Sequence, residues 1–279
     1  MHPNVVLPAL TSLVGFAFCG VLFRRFVQRP RAYLFVWGLG LLWYAIAAAT
    51  EALGGAFGWS SVLYRTWYLT GAIGVAAYLG AGSVYLHRDE PGFRSLSVVC
   101  IMLASAPALA GGYLMVGFFG LSAAVLCTVI LSTRPGWFAH AVFGALVVAT
   151  VLAASVVAQS TIDRSLLPTM PDQVVSGQAF PAGTRALTPP LNISGAVLLL
   201  FGALASVIHF GRTRAQPDRV LSNVLIAVGA LVPSLASGLT RFGITSLFFL
   251  GELLGLLCIL AGFLLSASTR ARPSPSPPG

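Results

Sequence analysis

The sequence predicts an all-α fold: a polytopic transmembrane helix bundle of nine spans, built as one leading helix plus two parallel-repeated four-helix units. Three observations carry this. Hydrophobic residues make up 57% of the 279 positions and charged residues only 8%, with a mean hydropathy of +0.89. Soluble domains carry about a quarter charged residues, so water is not the solvent for most of this surface. The apolar runs are about twenty residues long, the length that crosses a bilayer as a helix, whereas a β-barrel needs alternating strands of about ten. Finally, two stretches echo one another: Arg94-Ser-Leu-Ser97 and Arg219-Val-Leu-Ser222 each follow a basic turn and open an apolar run.

The expected spans are 4–26, 32–54, 63–87, 95–112, 115–133, 137–160, 190–211, 219–240 and 244–268. Residues 94–133 decide between eight and nine, and the distribution of arginine resolves it. With nine spans and the N-terminus outside, the inner side receives twelve of the sixteen arginines, and Arg65, Arg164, Arg185 and Arg241 stay outside. Fusing 94–133 into one span gives nine against seven, which is no bias. Positive charge gathers on the inner side of membrane proteins, so a hairpin around Gly111-Gly112 is expected.

The echo extends further. Thr70-Gly71-Ala72-Ile73 matches Ser194-Gly195-Ala196-Val197, Arg29-Pro30 matches Arg134-Pro135, and Pro107 matches Pro233. Spans two to five thus pair with spans six to nine. The chain reads as a single transmembrane domain, 1–268, with repeat units 29–133 and 134–268, an external loop 161–189 and a disordered inner tail 269–279. Four is even, so both units enter the membrane in the same direction, a parallel repeat. The arrangement is similar in architecture to transporters built from repeated bundles, and no motif ties it to a family. Thirty glycines, dense in spans three and nine, predict close helix approach and interior positions for those two spans. Paired prolines in corresponding helices point to a central cavity.

Composition excludes several functions. All sixteen basic residues are Arg, so there is no lysine amine for a retinal Schiff base or another imine-linked cofactor. The net charge of +9 arises from arginines at helix ends and does not mark a nucleic-acid binder. Cys19, Cys100, Cys127 and Cys258 all lie in apolar runs without a CxxC, which argues against a disulfide framework. There is no Gly-Lys-Ser/Thr phosphate loop and no DxxxD pair. The start of the chain lacks a basic n-region, so the first run is expected to be a retained helix.

The candidate ligand-binding residues are Glu51, Tyr64, Arg65, Trp67, Asn192, Arg241 and Glu252. Charges within spans are costly and mark function. Glu252 is the deepest acid, about eight residues into span nine. Glu51 and Arg65 flank the short connection between spans two and three, and Tyr64, Trp67 and Tyr68 accompany them. Together they would line an outer vestibule beneath the 161–189 loop. The competing reading is structural: ion pairs Glu51–Arg65 and Glu252–Arg241, with the aromatics in an interfacial belt. Pro189-Pro190-Leu-Asn192 reads as a rigid entry, with Asn192 as the N-cap of span seven. His87, His140 and His209 sit at inner helix ends, and are weak candidates for a metal or haem because none has ligand spacing.

These residues support three readings: a membrane protein that transports or binds a small molecule at the outer vestibule, a non-catalytic accessory or sensor subunit, or a membrane enzyme or haem protein, the least favoured. The expected partners are the lipid bilayer and either a protein partner or a second copy. The expected location is a bacterial plasma membrane.

Overall fold

The computed structural model describes residues 2–170, 173–212, 217–240, 245 and 247–269. Among them there is no strand, and nine helical stretches are long and apolar enough to cross a bilayer. That architecture is compatible with an integral membrane protein. In hydrocarbon, only helices and closed barrels satisfy every backbone N–H and C=O internally.

The chain forms two compact units, Met1–Leu199 and Leu200–Gly279, each described by itself. The first unit begins with α1 (Pro3–Gln28) and α2 (Ala32–Phe57). Proline in the first turn of α1 sits where its missing N–H is not needed. Small residues bring the two helices together: Ser12 Oγ donates to the Ala45 carbonyl at 3.0 Å, and Cys19 Sγ lies 3.4 Å from the Gly38 carbonyl. Gly58, at φ +88°, ends α2 in the left-handed region that glycine tolerates.

The next span is a composite. It runs from α3 (Ser61–Trp67) through a π-helical segment, Tyr68–Gly74, into α4 (Val75–Leu86). Ser60 caps α3 by accepting from the Leu63 N–H at 3.2 Å. This composite is the most buried helix of the unit, as its glycine density predicts. Trp37 Nε1 of α2 donates to the Leu79 carbonyl at 2.9 Å.

Residues 94–133 form two helices, α5 (Pro91–Ala110) and α6 (Leu114–Thr133), and Gly112 at φ +79° makes the turn between them. The expected hairpin is therefore present, and it supplies two of the nine membrane-length helices among the described residues. A 3-10 turn, Pro135–Trp137, leads into α7 (Phe138–Gln159). The segment 160–187 contains two 3-10 turns and the short α8 (Ala182–Arg185). Then α9 (Thr188–Arg212) begins. It starts at Thr188, so Asn192 lies in its second turn rather than at the N-cap. Pro189 and Pro190 have no N–H to be capped and suit the first turn of a helix.

The close approach of α4 and α9 needs glycine. A Cβ added at Gly80 would lie 2.5 Å from the Gly195 carbonyl oxygen, and one at Gly195 would meet the Ala76 carbonyl. Gly195 belongs to the Ser194-Gly195-Ala196 stretch that echoes Thr70-Gly71-Ala72 in sequence.

The second unit contains a hairpin of α10 (Pro217–Thr240) and α11 (Phe248–Thr269). Gly229 and Gly255 permit backbone contact, since a Cβ at 229 would sit 2.6 Å from the Gly255 carbonyl oxygen. Ser222 Oγ donates to the Gly262 carbonyl at 2.6 Å. Pro233 lies inside α10 and its ring packs on Gly255. Pro107 lies within α5; its side chain, and residues 270–279 of the expected tail, fall outside the described residues.

We expect Gly195→Val to destabilise the protein by about 1–3 kcal/mol through overpacking against the α4 backbone. Gly20→Ala, at an exposed α1 position with open space around it, should be neutral or slightly stabilising. Thermal unfolding of the two variants in detergent checks this; equal melting temperatures would show that α4 and α9 do not approach through Gly195.

Candidate functional site

At one end of the first unit, three connections gather: residues 58–60, 111–113 and 160–187. We call this the loop end. Its centre is an aromatic cluster of Trp59, Tyr64, Trp67, Tyr68 and Phe180, with ring centroids 4.8–6.5 Å apart. Tyr64 is 0% exposed and Trp67 8% exposed. Phe180 comes from the 160–187 segment and fills the space between Tyr64 and Tyr68. The vestibule expected from sequence is thus occupied by the loop itself.

Hydrogen bonds fasten the loop to the helices. Tyr64 Oη donates to the Ser176 carbonyl at 2.8 Å, and Tyr68 Oη lies 2.8 Å from Thr188 Oγ1. Ser160 Oγ lies 2.6 Å from Thr184 Oγ1, and the Asp163 N–H donates to the Ala179 carbonyl at 2.9 Å. Asp163 also caps the first 3-10 turn, accepting from the Ser165 N–H at 3.0 Å and from Ser165 Oγ at 2.6 Å. These bonds hold its carboxyl below the usual carboxylate range. They therefore contribute above that usual range and are lost as the pH falls through the lowered value.

Arg65 does not pair with Glu51. Its guanidinium donates to the Val157 carbonyl and, at 2.7 Å, to the Ser160 carbonyl, and lies over the Phe180 ring at 5.9 Å. The last carbonyls of a helix have no amide partner and carry the negative end of its dipole, so α7 offers the cation a ready site.

Glu51, in α2, is 4% exposed, and its Oε1 accepts from Trp67 Nε1 at 2.8 Å. Asn192 reaches across from α9 and donates to the Ala72 carbonyl at 3.1 Å. Ala72 lies in the π-helical segment, where widened turns release carbonyls from the regular ladder. Glu51, Tyr64, Arg65, Trp67 and Asn192 are thus all at or near the loop end of one unit. Glu252 lies in α11 of the second unit, and Arg241 lies outside the described residues.

At the opposite end of the first unit, His87 Nδ1 lies 2.8 Å from Glu90 Oε1, and its ring stacks on Phe93 at 4.7 Å. His140 Nδ1 lies 2.9 Å from Tyr85 Oη. In the second unit, described by itself, His209 of α9 stands edge-on to Phe210 at 5.2 Å. No group of three metal-ligating side chains occurs among the described residues.

Sequence reasoning did not single out Ser176, Thr188 or Trp59, or foresee the π segment. The scattered apolar residues of the loop were the available signal for Phe180. No family model, curated protein or solved structure matches the chain.

Arg65→Met should cost about 2–4 kcal/mol, because it removes two charge-assisted hydrogen bonds and strands α7 carbonyls. Tyr64→Phe should cost about 1 kcal/mol and speed proteolysis within 164–176. Limited proteolysis in detergent measures both effects; cleavage unchanged in both variants would show that the loop is not fastened through these residues.

Proposed function

We propose that this chain is an integral membrane protein that binds a small molecule at the loop end and carries it across the bilayer, with the 160–187 segment as the lid. The observation that supports this best is the carboxyl of Glu51: buried in a membrane-length helix, held by Trp67, and close to a loop that is pinned rather than open. Acids within spans are costly and tend to be retained where a substrate, ion or proton must be met. Lids that exclude water are a recurrent feature of such sites.

The finer architecture belongs to the same reading. With nine spans, the arginine bias supports a loop end outside and a C-terminus inside. Repeat units at 29–133 and 134–268, and a bacterial plasma membrane, complete it. Glu252 and Arg241 remain candidate ligand-binding residues on their sequence positions alone.

A non-catalytic accessory or sensor role is the second reading, and one observation favours it: the loop-end aromatics pack on one another and on Phe180.

The test is a thermal-shift screen of small metabolites on the purified full chain, repeated on Glu51→Gln. Gln retains an acceptor for Trp67 but carries no charge. A ligand at one hundred times its dissociation constant should stabilise the protein by about 2.7 kcal/mol. We expect the hits to lose most of that stabilisation in Glu51→Gln, and to accumulate in proteoliposomes made with the wild-type protein only. Hits that stabilise both proteins equally would remove Glu51 from the site. A co-purifying partner, with no hit at all, would favour the accessory reading.

A further inference from the structure

Two arginines of the loop end, Arg65 and Arg185, are used differently. Arg65 is consumed by the carbonyls of α7. Arg185, the last residue of α8, is exposed, and its side chain makes no hydrogen bond or ion pair among the described residues. Beside it lies a cleft of about 170 Å³ lined by Ala108, Tyr113, Ala182, Arg185, Ala186 and Pro189. Ala108 is near the end of α5, and Tyr113 follows the Gly112 turn. Gly183 lets α8 come close to that tyrosine: a Cβ there would be 3.6 Å from the ring.

The cleft is amphipathic by construction. Three alanines and a proline supply apolar surface, while one guanidinium and one phenol supply polar groups. Immediately beyond Tyr113, the first turn of α6 exposes Leu114 at 55% and Met115 at 90%. Such side chains belong against lipid, so the cleft lies where the apolar band of the protein meets its polar loops. That level of a bilayer holds the headgroups, and tyrosine is enriched there. A guanidinium fork matches the paired oxygens of a phosphate.

We propose that this cleft binds the phosphate headgroup of an anionic amphiphile. Arg185 pairs with the phosphate oxygens, the Tyr113 hydroxyl donates a further hydrogen bond, and Ala108, Ala182, Ala186 and Pro189 receive the first carbons of the attached chain. The site does not depend on Glu51 or on transport: Arg185→Gln should leave any Glu51-dependent thermal shift in place.

Native mass spectrometry of the full chain in detergent, titrated with phosphatidylglycerol, tests the assignment. The wild type should retain one lipid saturably. Arg185→Gln should weaken that binding at least tenfold. Ala182→Phe, which fills the cleft from an exposed position and keeps the charge, should do the same. Arg164→Gln, at an exposed arginine of the same loop, should bind as the wild type does; circular dichroism confirms that each variant is folded. Inorganic phosphate separates the two sources of this chemistry. Displacement of the lid-side lipid by millimolar phosphate assigns recognition to the phosphate alone, and retention assigns it to the whole amphiphile. Equal lipid binding by wild type and Arg185→Gln, or an equal loss in Arg164→Gln, would overturn the proposal.

Discussion

Backbone carbonyls that regular helices leave open set the design of the first unit. A span of hydrocarbon offers no water to take them, and each one left bare costs several kcal/mol. Two polar side chains answer this need. Arg65 takes the final carbonyls of α7, and Asn192 takes Ala72 in the π segment. Both reach across from another helix, so satisfying the backbone also fixes tertiary structure. The aromatic cluster then assembles around Arg65: Phe180 lies beneath its guanidinium, and the loop follows Phe180 into place.

Packing elsewhere rests on the absence of side chains rather than on their presence. Lipid tails are as apolar as leucine, so burial alone does not drive helices together in a bilayer, and contact area must come from close fit. Gly80 and Gly195 in the first unit, and Gly229 and Gly255 in the second, bring backbone against backbone. At such contacts even one methyl group is too many, so these positions tolerate less change than the exposed leucines around them.

Much of the frame was legible in the sequence. Helix limits agreed within a few residues because apolar run length is a strong signal, and the hairpin at Gly112 followed from charge counting. The gathering of Glu51, Tyr64, Arg65, Trp67 and Asn192 in one unit was foreshadowed by their places at span ends. Their partners were not legible. Opposite charges at a short connection suggested that Arg65 meets Glu51, but the stronger acceptor set was a helix terminus some ninety residues away, which local spacing does not reveal. Asn192 looked like a cap because it follows two prolines; its real partner lies 120 residues back. The π segment has no composition that marks it, since its residues, Tyr68–Gly74, suit an ordinary helix equally well.

That segment turns the 61–86 span into a crank. An ordinary helix advances about 100° per residue, so Tyr64 and Tyr78, fourteen residues apart, would fall within about 40° of one face. A widened turn absorbs one extra residue and rotates everything beyond it by about 100°. Tyr64 and Tyr68 consequently address the loop and the start of α9, while Tyr78 and Tyr85 address Thr150 and His140 of α7. One helix thereby serves two sets of neighbours. In evolutionary terms the segment has the form of a single-residue insertion retained inside a span, and losing that residue would turn one pair of tyrosines away from its partners.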